Sequence, residues 1–129
     1  MSLFEKRKGT PLADYEPRKK NKVTQLEVID LFIGDGQEVL EGDTITAHYT
    51  GALVADGTVF ESSHDGARPA TFGLDQVISG WTVGVPGMKV GGTRRLVIPS
   101  EMAYGQRRAS AQIGPNSDLV FDIELIAVS

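Results

Sequence analysis

The chain has 129 residues, 40% hydrophobic and 23% charged, with fifteen glycines, six prolines and a formal net charge of −4. That suffices for one domain with its own core and is too little for two, and the apolar content is that of an ordinary globular protein. With no cysteine and only two histidines, disulfide scaffolds, thiol catalysis, iron–sulfur clusters and three-histidine metal sites are excluded.

Charge divides the chain. Residues 1–22 hold seven Lys or Arg and three acids, net +4, whereas residues 23–129 hold six and fourteen, net −8. The first part also carries Pro11 and Pro17 and shows no helical or strand period, which predicts a flexible basic tail ahead of a domain at 23–129. The run Arg18-Lys19-Lys20-Asn21-Lys22 could touch nucleic acid, anionic lipid or an acidic partner. Without interleaved aromatics it reads first as a solvated linker, and a nucleic-acid partner is not expected. The basic residues near the start precede no apolar run of the kind a secretory leader needs, so a cytoplasmic protein is expected. A leader already removed, or an added Met1-Ser2-Leu3, would leave the same sequence.

Beyond Val23 the chain alternates with period two between turn residues. In residues 44–50, Ile45, Ala47 and Tyr49 share one face, while Thr44, Thr46, His48 and Thr50 share the other, which is expected to be wetter. Asp56-Gly57 predicts a hairpin tip between residues 52–55 and 58–62. Ile78, Trp81, Val85 and Met88 then form a helical stripe, although Gly80, Gly84, Pro86 and Gly87 make that helix poor, so it must depend on packing. The longest charge-free run, residues 76–88, is thirteen long, short of the roughly 18 that span a bilayer, and no membrane association is expected. A strand at 93–98 is stopped by Pro99. In a last strand at 118–128, Leu119, Phe121, Ile123 and Leu125 point one way, with Asp122 and Glu124 among those pointing back. These pieces predict an α+β fold, a curled antiparallel sheet wrapped around one short helix that buries Trp81.

The usual chemical signatures are absent. There is no phosphate loop, dinucleotide-binding glycine motif, H-E-x-x-H or G-x-S-x-G elbow, so nucleotide and metallohydrolase chemistry fall, and no cofactor or metal is expected. Ser63-His64-Asp65 contains the residue types of a triad, but three consecutive loop residues cannot aim along one line.

What remains is a set of aromatic and apolar runs. His48-Tyr49-Thr50-Gly51, Asp56-Gly57, Phe60-Glu61-Ser62-Ser63, Val77-Ile78-Ser79-Gly80-Trp81, Gly87-Met88-Lys89-Val90-Gly91, Ala103-Tyr104-Gly105 and Leu119-Val120-Phe121-Asp122 occur in the order seen in FK506-binding proteins. The resemblance covers residues 26–128. It implies a half-open antiparallel sheet around a short helix and a peptidyl-prolyl cis-trans isomerase, active in protein folding on proline-containing protein or peptide clients. By the same resemblance Tyr49, Phe60, Val77, Ile78, Trp81, Tyr104, Ile113 and Phe121 surround the proline pocket. Trp81 is its floor, and the Ile78 N–H and the Tyr104 hydroxyl hydrogen-bond ligand carbonyls. Taken singly, Tyr49, Phe60, Trp81 and Phe121 also fit plain core packing.

Several positions depart from that pattern. Glu61 replaces the usual aspartate and is one methylene longer, which puts its hydrogen bond to Tyr49 in doubt. An arginine that often follows the Ser-Ser pair is missing near Gly66, with Arg68 able to reach back. Ala70 stands where many members carry an aromatic wall, Ala109 where some carry a histidine, and Gln112 where the rim is commonly apolar. A working, monomeric isomerase with an open, polar rim is therefore expected, binding macrolides such as FK506 and rapamycin more weakly than tight-binding relatives. Two other readings remain at this level. One is a chaperone-like module that holds proline segments without turning them over, and the other is an interaction protein acting through its basic tail.

Overall fold

The computed structural model describes Leu12 and residues 14–18, 22–63 and 68–129. Six strands form one antiparallel sheet: β1 (Glu27–Phe32), β2 (Thr44–Leu53), β3 (Val59–Ser62), β4 (Ala70–Gly73), β5 (Thr93–Ile98) and β6 (Leu119–Val128). Their order is β1-β5-β6-β2-β3, with β4 also paired to β2. The single helix among the described residues, α1 (Ser79–Gly84), lies across the sheet, and none is long and apolar enough to cross a membrane.

The alternation in β2 and β6 sorts side chains onto the two faces. Ile45, Ala47, Leu119, Ile123 and Leu125 are completely buried beneath α1, together with Leu96 and Ile98 of β5. The helix packs closely because its own glycines permit it. A Cβ on Gly80 would stand 2.6 Å from Ile98, and one on Gly84 would stand 2.8 Å from Leu96. Glycine thus lowers the helix's intrinsic stability and also allows its burial. The stripe overestimates its length, since α1 ends at Gly84 while Val85 and Met88 remain buried in the turns that follow. Arg94 closes that end, donating to the carbonyls of Gly84 at 2.9 Å and Pro86 at 3.2 Å while its Nε binds Asp30 at 2.7 Å.

The opposite face departs from the expected wet surface. Thr44, Thr46 and His48 are half-buried, but Thr50 is buried and bonds Ser62 at 2.8 Å. Every residue of β5 is buried, and a second apolar cluster of Val23, Ala52, Val54, Val97 and Val120 lies on this side. Much of its cover comes from the segment read as a tail. Leu12 and Tyr15 pack on the cluster, the Leu12 N–H donates to Asp122 at 2.8 Å, and the Tyr15 hydroxyl donates to the Val54 carbonyl at 2.8 Å. Asp122 meanwhile holds Arg95 at 2.7 Å, and the same guanidinium reaches Asp14 at 2.8 Å and lies 5.8 Å from the Tyr15 ring centroid. Arg18 pairs with Glu27 at 2.7 Å. At these positions the chain is bound to the sheet. Residues 1–11, 13 and 19–21, including most of the basic run, lie outside the described residues.

Candidate active site

The inward face of the sheet does not close completely over its core. Near α1 a cavity of about 560 Å³ opens, lined by Tyr49, Phe60, Glu61, Phe72, Gln76, Val77, Ile78, Ser79, Trp81, Ala103, Tyr104, Arg107 and Phe121. Eight of the residues expected there thus come together: Tyr49, Phe60, Glu61, Val77, Ile78, Trp81, Tyr104 and Phe121.

Trp81 forms the base of the cavity and is only 4% exposed. Three rings meet it edge to face, Tyr49 at 5.6 Å, Phe72 at 5.1 Å and Phe121 at 5.4 Å between centroids. Phe60 closes one side against Phe121 at 5.7 Å. Such edge-on contacts fix ring orientation as well as burying area, so the floor is stiff. The indole Nε1 is buried without a hydrogen-bond acceptor among the described residues.

The polar groups are few and specific. Burial, aided by a hydrogen bond with Glu61 and that residue's charge, holds the Tyr49 phenol far above its ordinary value. Glu61 lines the same cavity as Tyr49. Ile78 precedes α1 in an extended conformation, φ −60° and ψ 151°. Its carbonyl accepts the Trp81 N–H at 2.9 Å, while its own N–H has no acceptor among the described residues. The Tyr104 hydroxyl likewise has no partner among them, and at 37% exposed the residue stands at the mouth. Tyr104 follows a short 3₁₀ turn, Ser100–Met102, anchored where the Asp118 carboxylate accepts the Ser100 N–H at 2.8 Å.

The remaining expected residues fall elsewhere. Ile113 is buried in the main core cluster and is not among the lining residues. Ala109 is exposed, its N–H donating to the Ile113 carbonyl at 3.0 Å. Ala70 lies on β4 opposite Ala47. The aromatic wall that Ala70 lacks is supplied by Phe72, two residues along and hence on the same face. Phe72, Gln76, Ser79, Ala103 and Arg107 escaped the sequence reading. Arg68 makes no hydrogen bond or ion pair among the described residues and does not line the cavity. Ser63 binds His48 Nδ1 at 2.9 Å and accepts the Tyr49 N–H at 2.8 Å, which ties the sheet together, while His64, Asp65 and Gly66 lie outside the described residues. Those residues also contain no group of three or more His, Asp or Glu able to hold a metal.

Comparison with known proteins agrees with the resemblance in the sequence. The chain is 50% identical over 105 residues to an FK506-binding protein of Neisseria meningitidis, covering 80% of this chain and 95% of that one. It is 48% identical over 93 residues to the peptidyl-prolyl cis-trans isomerase FPR2 of Saccharomyces cerevisiae, covering 70% and 69%. The crystal structure of a peptidyl-prolyl cis-trans isomerase from Pseudomonas syringae superposes with a TM-score of 0.74 at 40% identity, covering 88% of this chain and 83% of that one. The sequence model of the FKBP-type peptidyl-prolyl cis-trans isomerases matches residues 36–126, and the chain belongs to that family.

Proposed function

We propose that the cavity above Trp81 holds an X–Pro segment of a protein client while its peptide bond rotates, with Tyr49, Phe60, Phe121 and Trp81 gripping the pyrrolidine ring. The observation that carries this reading is the pairing of a stiff aromatic floor with two uncommitted donors, the Ile78 N–H and the Tyr104 hydroxyl, on the wall and mouth of one cavity.

Rotation about the bond meets a barrier of roughly 18–20 kcal/mol because resonance keeps the amide planar. Twisting returns the lone pair to nitrogen and removes charge separation from the carbonyl. A water-poor pocket therefore disfavours the planar state more than the twisted one, and this difference lowers the barrier without a nucleophile. Donors that hold the flanking carbonyls keep one end of the segment still while the other turns. Tyr49, its proton held by burial and by Glu61, stays a neutral wall throughout the physiological range.

The FK506-binding relatives also make macrolides that mimic the twisted amide candidate ligands of this pocket. A rim carrying the polar Gln76 and Arg107 supports weaker binding than in tight-binding relatives.

The test is an exchange assay on a proline tetrapeptide with the wild type, Tyr104→Phe, Phe121→Ala and Trp81→Ala. Acceleration that falls with each lesion is expected, whereas peptide binding with no acceleration would leave a holding module only. Trp81 is the only tryptophan, so its fluorescence reports FK506 entry directly. A dissociation constant in the low nanomolar range would refute the weakened rim.

A further inference from the structure

We propose that Arg107 makes this pocket favour clients that carry a carboxylate side chain beside the proline. The cavity of about 560 Å³ far exceeds one pyrrolidine ring, so the neighbouring residues of a bound segment must lie against its rim. Only two residues of the lining are charged. Glu61 is an acid and repels a client carboxylate. Arg107 makes no side-chain hydrogen bond or ion pair among the described residues.

Of the described arginines only Arg68 shares this, and Arg68 does not line the cavity. Arg18, Arg94 and Arg95 each hold a carboxylate, and Arg108 donates to the Ser110 and Ala111 carbonyls at 3.3 and 3.4 Å. The position of Arg107 is nevertheless defined. Its N–H donates to the Tyr104 carbonyl at 3.2 Å, and the loop is closed below by the Asn116 N–H on the Gly105 carbonyl at 2.7 Å. Arg107 thus leaves the same turn as Tyr104 and lines the same cavity, beside the carbonyl that Tyr104 would hold. A guanidinium offers a carboxylate two parallel N–H donors, a match that an amide of the same shape cannot reproduce. Residues 23–129 carry a net charge of −8, so general attraction of acidic clients is not available and any preference must be local.

This inference rests on the reading of the cavity as the proline site, and its test separates the two. Isomerisation is measured at low ionic strength on peptide pairs identical except for Glu or Gln, placed before the proline in one pair and after it in the other. The readout is the Glu-to-Gln ratio of kcat/KM, which cancels any general loss of activity in a variant. In at least one pair the wild-type ratio is expected to exceed that of Arg107→Gln by about two- to five-fold, the scale of an exposed ion pair. Arg107→Lys should retain part of the difference, and Arg108→Gln should leave the wild-type ratio unmoved. Equal ratios in the wild type and Arg107→Gln for both pairs, or an equal shift in Arg108→Gln, would overturn the role of Arg107 while leaving the isomerase reading intact. No acceleration of the Gln peptides by the wild type would remove both.

Discussion

Gly51 lies on β2 directly beneath the Phe60–Phe121 pair, and a single methyl there should disturb the pocket more than its size suggests. A Cβ added to Gly51 would stand 2.6 Å from Phe121 Cε2 and 2.7 Å from Phe60 Cζ. Ordinary carbon contacts begin near 3.5 Å, so each ring must withdraw by about 1 Å or the backbone must shift. Phe121 is only 5% exposed and is held edge-on by Trp81, so it can give little. Phe60 is half-buried and should move, turning into the cavity it borders. Overpacking of this kind costs about 1–3 kcal/mol, which for a chain of this length lowers Tm by about 4–12 °C. A ring displaced by about 1 Å at the reacting bond should also reduce kcat/KM on the order of 10- to 100-fold. Thermal unfolding and the tetrapeptide exchange assay measure the two effects on one preparation of Gly51→Ala. The double variant Gly51→Ala/Phe60→Leu removes one of the two rings struck by the methyl and should recover part of the stability lost in Gly51→Ala, with activity still low. If Gly51→Ala keeps both its Tm and its kcat/KM, the rings are not confined as described and the reasoning fails.

The outer face supports three further expectations. Asp122→Ala leaves the Arg95 guanidinium buried with only the exposed Asp14 opposite it, a loss of about 3–5 kcal/mol in urea unfolding, and a midpoint within error of wild type would show that the pair is solvated in practice. Removing residues 1–18 strips Leu12 and Tyr15 from the second apolar cluster, costing on the order of 2 kcal/mol of buried apolar contact. Because the cavity opens on the other side of the sheet, kcat/KM of that truncation at a temperature where it is folded should stay within about two-fold, less than tenfold per 1.4 kcal/mol would allow for a damaged site. The Arg18 hydrogen bond holds the Glu27 carboxyl below its ordinary value of 4.5. Its contribution to stability is therefore complete above that value and is lost as the pH falls through the lower folded value. The Tm difference between wild type and Glu27→Gln should be small, as for a pair about a third exposed, and should vanish in acid and in high salt. A difference that grows on acidification would contradict the assignment.

The legible parts of the fold share one cause. β2, β6 and the stripe of α1 each turn one face to the same core, so burial writes its period into the sequence, whereas β5 is buried on both faces and shows only as an apolar run before Pro99. β1 breaks that rule because it is an edge strand, with Val28 and Ile29 exposed and Asp30 spent on Arg94. β4 has only four residues, too short for an alternation to stand out. The docking of Leu12 and residues 14–18 is hidden by their composition. Its contacts are a proline-flanked tyrosine and charges whose partners, Arg95 and Asp122, are distant in the chain, and a local pattern of charge looks the same whether it faces water or a buried counter-ion.

The candidate site divides along the same line. Its floor lies at inward positions of β2 and β6 and on the inward stripe of α1, places where core residues would stand in any case. The same periodicity that located Ile45 and Leu119 therefore located Tyr49 and Phe121. A pocket of this kind is the core left one layer short, with aromatic rings where the missing layer would have packed. Phe72 obeys the same rule and could have been found by moving two residues along β4 from Ala70. The rim obeys no such rule. Gln76 and Arg107 sit in turns, where position is set by hydrogen bonds such as that from Arg107 to the Tyr104 carbonyl, and no spacing in the sequence anticipates them. Chemistry shared across the family should accordingly reside in the floor, and discrimination among clients in the loops around it.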